Sequence, residues 1–184
     1  MKFLIFIFFI IYGNLKSETY LNKEELSVIM TINKTMKTLK ENLENALQDG
    51  DITEAFKMCS DKAQDLTFNN NNNNTTIKRI SLKYRNPKNK PTKYEEEILR
   101  SFENKLLSGV KFNELIFKKV TNNYKNKTLV YLKAIPTKGV CLNCHGKNID
   151  DKVFEKIKAV YPNDMAIGYR LGEIRGAFSV RHNF

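Results

Sequence analysis

Leu115-Ile116-Phe117-Lys118-Lys119-Val120 and Thr128-Leu129-Val130-Tyr131-Leu132-Lys133-Ala134-Ile135, separated by a polar turn, read as two hairpin-like strands rich in β-branched and aromatic residues. Downstream, Tyr169 to Val180 reads as further strand, punctuated by Gly168, Gly172 and Gly176. Upstream, Ile80, Leu82 and Tyr84 alternate with Arg79, Ser81, Lys83 and Arg85, which predicts a strand with one wet face, stopped by Pro87 and Pro91. Helices separate these strands. Thr92 and Glu95 have capping-box spacing and open a helix through about Leu107, with Tyr94, Ile98, Phe102 and Leu106 inward. Asp150 or Asp151 caps a shorter helix through Val160.

Further out, Leu26, Ile29, Ile32, Met36, Leu39, Leu43 and Leu47 recur every three or four residues, one apolar stripe on a long helix from Asn22 to Gln48. Asp49-Gly50-Asp51 breaks it, and Asp51 with Glu54 starts a second helix. Its inner face is Ile52, Ala55, Phe56, Cys59, Ala63 and Leu66, which puts Cys59 in mid-helix facing the core. Asn69 to Asn74 is a low-complexity loop. Helices followed by hairpin-like strands predict an α+β domain: an antiparallel sheet flanked by helices, with a long N-terminal amphipathic helix.

The 184 residues suit one domain with one core. Met1-Lys2, the ten-residue apolar run Phe3 to Tyr12 and the polar exit Gly13 to Ser17 form a signal-peptide pattern, too short in its apolar part to span a bilayer. We therefore expect a signal peptide over 1–17 and a single exported, periplasmic domain over 18–184. Cleavage there removes two lysines and no acid, so the +11 chain stays basic. Its lysines are interleaved with Glu and Asp, with no compact basic block and no nucleic-acid motif, so the charge reads as a solvated surface and not as a nucleic-acid footprint.

Chemistry concentrates in Cys141-Leu142-Asn143-Cys144-His145. This is the C-x-x-C-H pattern of c-type haem attachment, and a chain with three Cys and two His assembles it by chance only rarely. Thiols one helical turn apart reach the two haem vinyl groups, and the adjacent imidazole reaches the iron. The expected cofactor is one covalent haem c on Cys141 and Cys144, with His145 as one iron ligand. A thioredoxin-like pair lacks its βαβ setting here. A zinc site built from Cys59, Cys141, Cys144 and His145, or a plain Cys141–Cys144 disulfide in an exported interaction domain, is the alternative. For the second iron ligand the residues leave Cys59, Met58, Met165 and His182 open. Arg79, Arg85 and Arg175 are candidates for pairing the haem carboxylates, since a guanidinium fork matches them.

Four segments in order carry a family resemblance: Ile80 to Pro87 with Asn89 and Pro91 (R-N-P-x-N-x-P), Cys141 to Gly146, Tyr161-Pro162-x-Asp164-x-Ala166-x-Gly168-Tyr169, and Gly172-x-Ile174-Arg175-Gly176-Ala177-Phe178-Ser179-Val180. Over about Ala55 to Val180 the chain resembles a family of exported bacterial c-type haem proteins with a PAS-like fold. These occur as free cytochromes and as extracytoplasmic sensor domains. The resemblance implies Cys59 and the motif histidine, His145, as the axial metal ligands. Tyr94 stands where the family tends to have Trp, and Met165-Ala166-Ile167 departs from a segment that usually carries a small residue before the glycine.

The expectation is a redox-active haem for electron transfer or for redox or small-ligand sensing, with no enzymatic turnover, because no acid/base pair or activated nucleophile is assembled. Its ligand from Cys59 is expected to loosen on reduction. The expected partner is a redox protein or a membrane-bound signalling protein.

Overall fold

Leu129 to Leu132 is an unbroken apolar run, and it needs no wet face because both sides of its strand are covered. The computed structural model describes residues 4–48, 52–69, 71, 74–122 and 127–184, with side chains from Lys23 onward apart from 52–54, 60–61 and 68–69. The helical part comprises α1 (Leu4–Gln48), α2 (Ile52–Lys57), a π-helical turn (Met58–Lys62) and α3 (Ala63–Asn69). Then come β1 (Thr75–Ile80), α4 (Lys93–Leu107), β2 (Ile116–Asn122), β3 (Lys127–Pro136), α5 (Leu142–His145), α6 (Asp151–Val160) and β4 (Ile174–Asn183). The four strands form one antiparallel sheet in the order β1-β4-β3-β2. The architecture is the expected α+β arrangement of an antiparallel sheet flanked by helices.

Alternation along the two central strands sorts their side chains between two helices. Val130, Leu132, Ala134 and Ala177 pack with Ile98, Leu99 and Phe102 of α4. Leu129, Tyr131, Phe178 and Val180 pack with Val28 and Ile32 of α1. Tyr131 pairs with Val180 and Leu132 with Ser179 in the β3–β4 register. A smaller cluster of Phe56, Val153 and Ile157 joins α2 to α6.

Several boundaries differ from the sequence reading for physical reasons. The helix expected from Asn22 begins at Leu4 and so runs through the segment read as a signal peptide. The expected stripe faces inward from Ile29 on: Ile32 is fully buried, Ile29, Met36 and Leu39 pack against the core, and Leu43 and Leu47 line a cavity, while Leu26 is 57% exposed and Val28 and Thr35 join the buried face. The Asp49-Gly50-Asp51 break, part of the Asn69–Asn74 run and the turn at 123–126 lie outside the described residues. The first strand spans Thr75–Ile80 and not 79–85. Its ladder ends because the Ser81 N–H turns to Asn89 O at 3.1 Å and Asn86 caps the 3₁₀ turn Pro87–Asn89. The tail forms a single strand that starts only at Ile174. In α4 the Thr92–Glu95 capping box is formed, but Tyr94 is 41% exposed and packs edge-on to Phe117. Asp150 caps α6. Among the described residues no helix is long and apolar enough to cross a membrane.

Where β1 ends, β4 passes it closely. A Cβ on Gly176 would lie 2.2 Å from Ile80 O, so a side chain there must push two paired strands apart. Gly176→Ala should cost about 1–3 kcal/mol, as overpacking of a tight interior does. Urea unfolding at neutral pH checks this, and an unchanged midpoint with an unchanged slope would count against so close an approach.

Candidate functional site

A cavity of about 230 Å³ lies where α1, the π-helical turn, the end of β1 and the segment around α5 meet. One wall is aliphatic, from Met36, Leu39, Leu43 and Leu47 of α1. The others carry Cys59, Cys141, Cys144 and His145 together with Arg79, Arg85 and Arg175. Among the described residues no Asp or Glu lines it.

His145 ends α5 and is buried at 8% exposure. Its Nδ1 lies 2.6 Å from Ala166 O, an atom that can only accept, so the proton sits on Nδ1 and Nε2 keeps its lone pair. Burial, then the charges of Arg175 and Arg85, hold the imidazole well below its usual range, so the ring is neutral. Nε2 lies 3.4 Å from Arg175 Nη2, and Tyr169 packs edge-on against the ring at 6.3 Å. The backbone fixes the same segment: Tyr169 N–H donates to His145 O and Gly168 N–H to Gly146 O, each at 2.9 Å. Gly168 has φ +74°, a left-handed turn that suits glycine.

Arg85 holds this arrangement from the other side. Its Nε and Nη2 reach Asp164 Oδ2 at 3.1 and 3.0 Å, and Nη2 also donates to Cys144 O at 2.6 Å. Asp164 Oδ1 accepts from Ala166 N–H at 2.8 Å, and the carbonyl of that same residue takes the His145 proton. The chain Arg85–Asp164–Ala166 therefore orients the imidazole at one remove, as outer partners do for metal-binding histidines. Arg85, expected as a carboxylate partner for the ligand, is a brace. The roles of Asp164 and Ala166 were missed, although both sit in the quoted Tyr161–Tyr169 motif.

All three cysteines are free thiols and half-buried. Burial, and then the neighbouring Cys59, push Cys144 up to about 11. Burial also raises Cys59, opposed first by Arg79 and then by Arg175. Cys59 lies in the π-helical turn and not in a regular mid-helix position. Such widened turns are frequent at functional sites. Met58 is buried and lines the same cavity. The two remaining rivals are elsewhere. Met165 is 40% exposed because its neighbours Asp164 and Ala166 turn inward. His182 is held between Thr75 Oγ1 at 2.8 Å and Glu24 Oε2 at 2.7 Å, tying β4 to β1 and α1.

Among the described residues no group of three or more His, Cys, Asp or Glu side chains is arranged to hold a metal ion directly, and no disulfide joins Cys141 to Cys144. Neither form of the haem-free alternative is favoured. The donor set fits a haem: two unpaired thiols, a neutral imidazole with its outer nitrogen bare of a proton, a thioether and a third thiol, an aliphatic wall, and buried cationic nitrogens at Arg79 Nε and Arg85 Nη1 left without partners.

Fold and site together define a small α+β domain built around one thiol- and imidazole-lined cavity. The profile of the Tll0287-like family matches residues 15–182, and the chain belongs to that family. A solved structure described as the cyanobacterial heme-protein Tll0287 has the same fold, with a TM-score of 0.60 and 21% identity over 84% of this chain and 93% of that one. A search of curated proteins found no match.

Since Arg85 and Asp164 are both buried, removing one partner strands the other. Arg85→Leu should lower unfolding stability by about 3–5 kcal/mol. Chemical denaturation of the variant and wild type, prepared alike, checks this; a loss below 1 kcal/mol, roughly the scale of an exposed pair, would contradict the buried brace.

Proposed function

We propose that the protein is an exported monohaem c-type cytochrome, attached through Cys141 and Cys144, that serves electron transfer or redox or small-ligand sensing and not enzymatic turnover. The observation that carries this reading is the convergence of both C-x-x-C-H thiols and the unprotonated Nε2 of His145 on one largely apolar cavity. Membership of a family whose solved relative is described as a heme-protein supports it. A bound haem supplies a one-electron iron centre whose potential follows its axial ligands and surroundings.

The residues would divide the task as follows. Cys141 and Cys144 provide the two attachment thiols. His145 presents Nε2 while Ala166 O keeps the proton on Nδ1, so that no deprotonation is needed for it to bind metal. Cys59 is the second axial ligand, favoured by its place in the cavity and by the three guanidiniums that offset the cost of its thiolate. When that charge is no longer matched, burial favours the neutral thiol, which is how Cys59 would let go. Met58, beside it, is the competing ligand. Removal of residues 1–17 would deliver a periplasmic protein, and its partner would be a redox protein or a membrane-bound signalling protein, without nucleic acid.

Ferric optical and EPR spectra of protein produced with c-type maturation test the ligand set. Cys59→Ala should convert the low-spin ferric spectrum to high-spin or ligand-exchanged, and Met58→Leu should leave it unchanged. The reverse pattern would move the role to Met58. Rapid carbon monoxide binding by the reduced wild type is the outcome expected of a sensor, and an inert six-coordinate reduced form is the outcome expected of a carrier.

A further inference from the structure

The three cavity arginines differ in what they hold. Arg85 is committed through Nε and Nη2 to Asp164 and Cys144 O, with only its Nη1 left without a partner. Arg175 donates from Nη1 to Ser81 Oγ at 3.1 Å and Lys83 O at 3.4 Å, lies over the Tyr169 ring at 5.2 Å, and has Nη2 against His145. No hydrogen bond or ion pair joins the Arg79 side chain to any described residue, and its Nε is buried without a partner. It stands at the end of β1, paired in register with Phe178, and lines the cavity.

A buried cation without an anion is among the costliest arrangements in a protein interior. Little on the cavity wall relieves it: the neighbouring charge of Arg175 is of the same sign, only the weakly acidic groups of Cys59 and Tyr161 oppose it, and no described carboxylate lines the cavity. The fork is thus set for a planar, bidentate anion brought by the occupant.

We propose that Arg79 is the carboxylate anchor of this cavity: it pairs with a carboxylate side arm of the bound tetrapyrrole, while Arg85 and Arg175 serve the protein's own backbone and side chains. The assignment rests on the haem reading. It makes Arg79 a binding residue and Arg85 a brace, and it explains why the Arg79 guanidinium lines the cavity with no anionic partner of its own.

Resonance Raman spectra of the matured, haem-loaded wild type, Arg79→Leu, Arg79→Lys and Arg85→Leu proteins test it through the propionate-bending bands. Arg79→Leu should shift one propionate band while the haem stays covalently attached. Arg79→Lys should give a smaller shift, since an ammonium restores the charge but not the fork. Arg85→Leu should lower the melting temperature without that shift. Unmoved propionate bands in both Arg79 variants overturn the anchor, and all the more if the change falls instead on the axial-ligand absorption, which would make Arg79 the counter-charge of Cys59. Equal propionate shifts in Arg79→Leu and Arg85→Leu also overturn it. A wild-type protein that matures without haem would defeat the haem reading itself, and the anchor with it.

Discussion

The buried Arg85–Asp164 pair is the constraint on which the site depends. Neither partner is on the C-x-x-C-H segment, yet together they hold it: Arg85 takes Cys144 O, and Asp164 takes the Ala166 peptide whose carbonyl orients His145. A buried ion pair of this kind is poor evidence for stability, because its desolvation cost rivals its attraction. What it provides is position. It joins the Arg85–Pro87 loop, α5 and the Asp164–Tyr169 segment, three stretches far apart in sequence, into one wall of the cavity.

The rest of the fold can be understood as support for that wall. The sheet is sandwiched between α1 and α4, so the middles of its two central strands are buried. Gly176 lets β4 run against the end of β1, which brings Arg79 and Arg175 to the same place. Glu95, tied to Lys78 at 2.8 Å and to Ser179 at 2.7 Å, fixes the start of α4 on that same pair of strands. The aliphatic wall comes from α1, whose stripe beyond Thr35 turns from the sheet to the cavity through Met36, Leu39 and Leu43.

Much of this was legible from local signals. The capping box of α4, the Asp150 cap of α6, the hairpin β2–β3 and the C-x-x-C-H cluster are all short-range patterns, and short-range physics decides them. What was not legible depended on long-range partners. The strand written in Ile80, Leu82 and Tyr84 stops at Ile80 because Asn89 competes for the Ser81 N–H. Arg79, Arg85 and Arg175 look alike in sequence, and only their surroundings separate an unpaired cation, a brace and a histidine neighbour. His182 was a plausible ligand by residue type, and it is excluded by Thr75 and Glu24, which are distant in the chain.

The central claim is that Cys141 and Cys144 carry a covalently bound haem beside His145. Denaturing mass spectrometry of protein made in a host with c-type maturation tests it most directly. The account predicts one haem's added mass on the wild-type polypeptide, located by peptide mapping to the segment containing Cys141 and Cys144, and lost in the double alanine variant. A polypeptide of unmodified mass, with any haem extracted into acidic organic solvent, would contradict it.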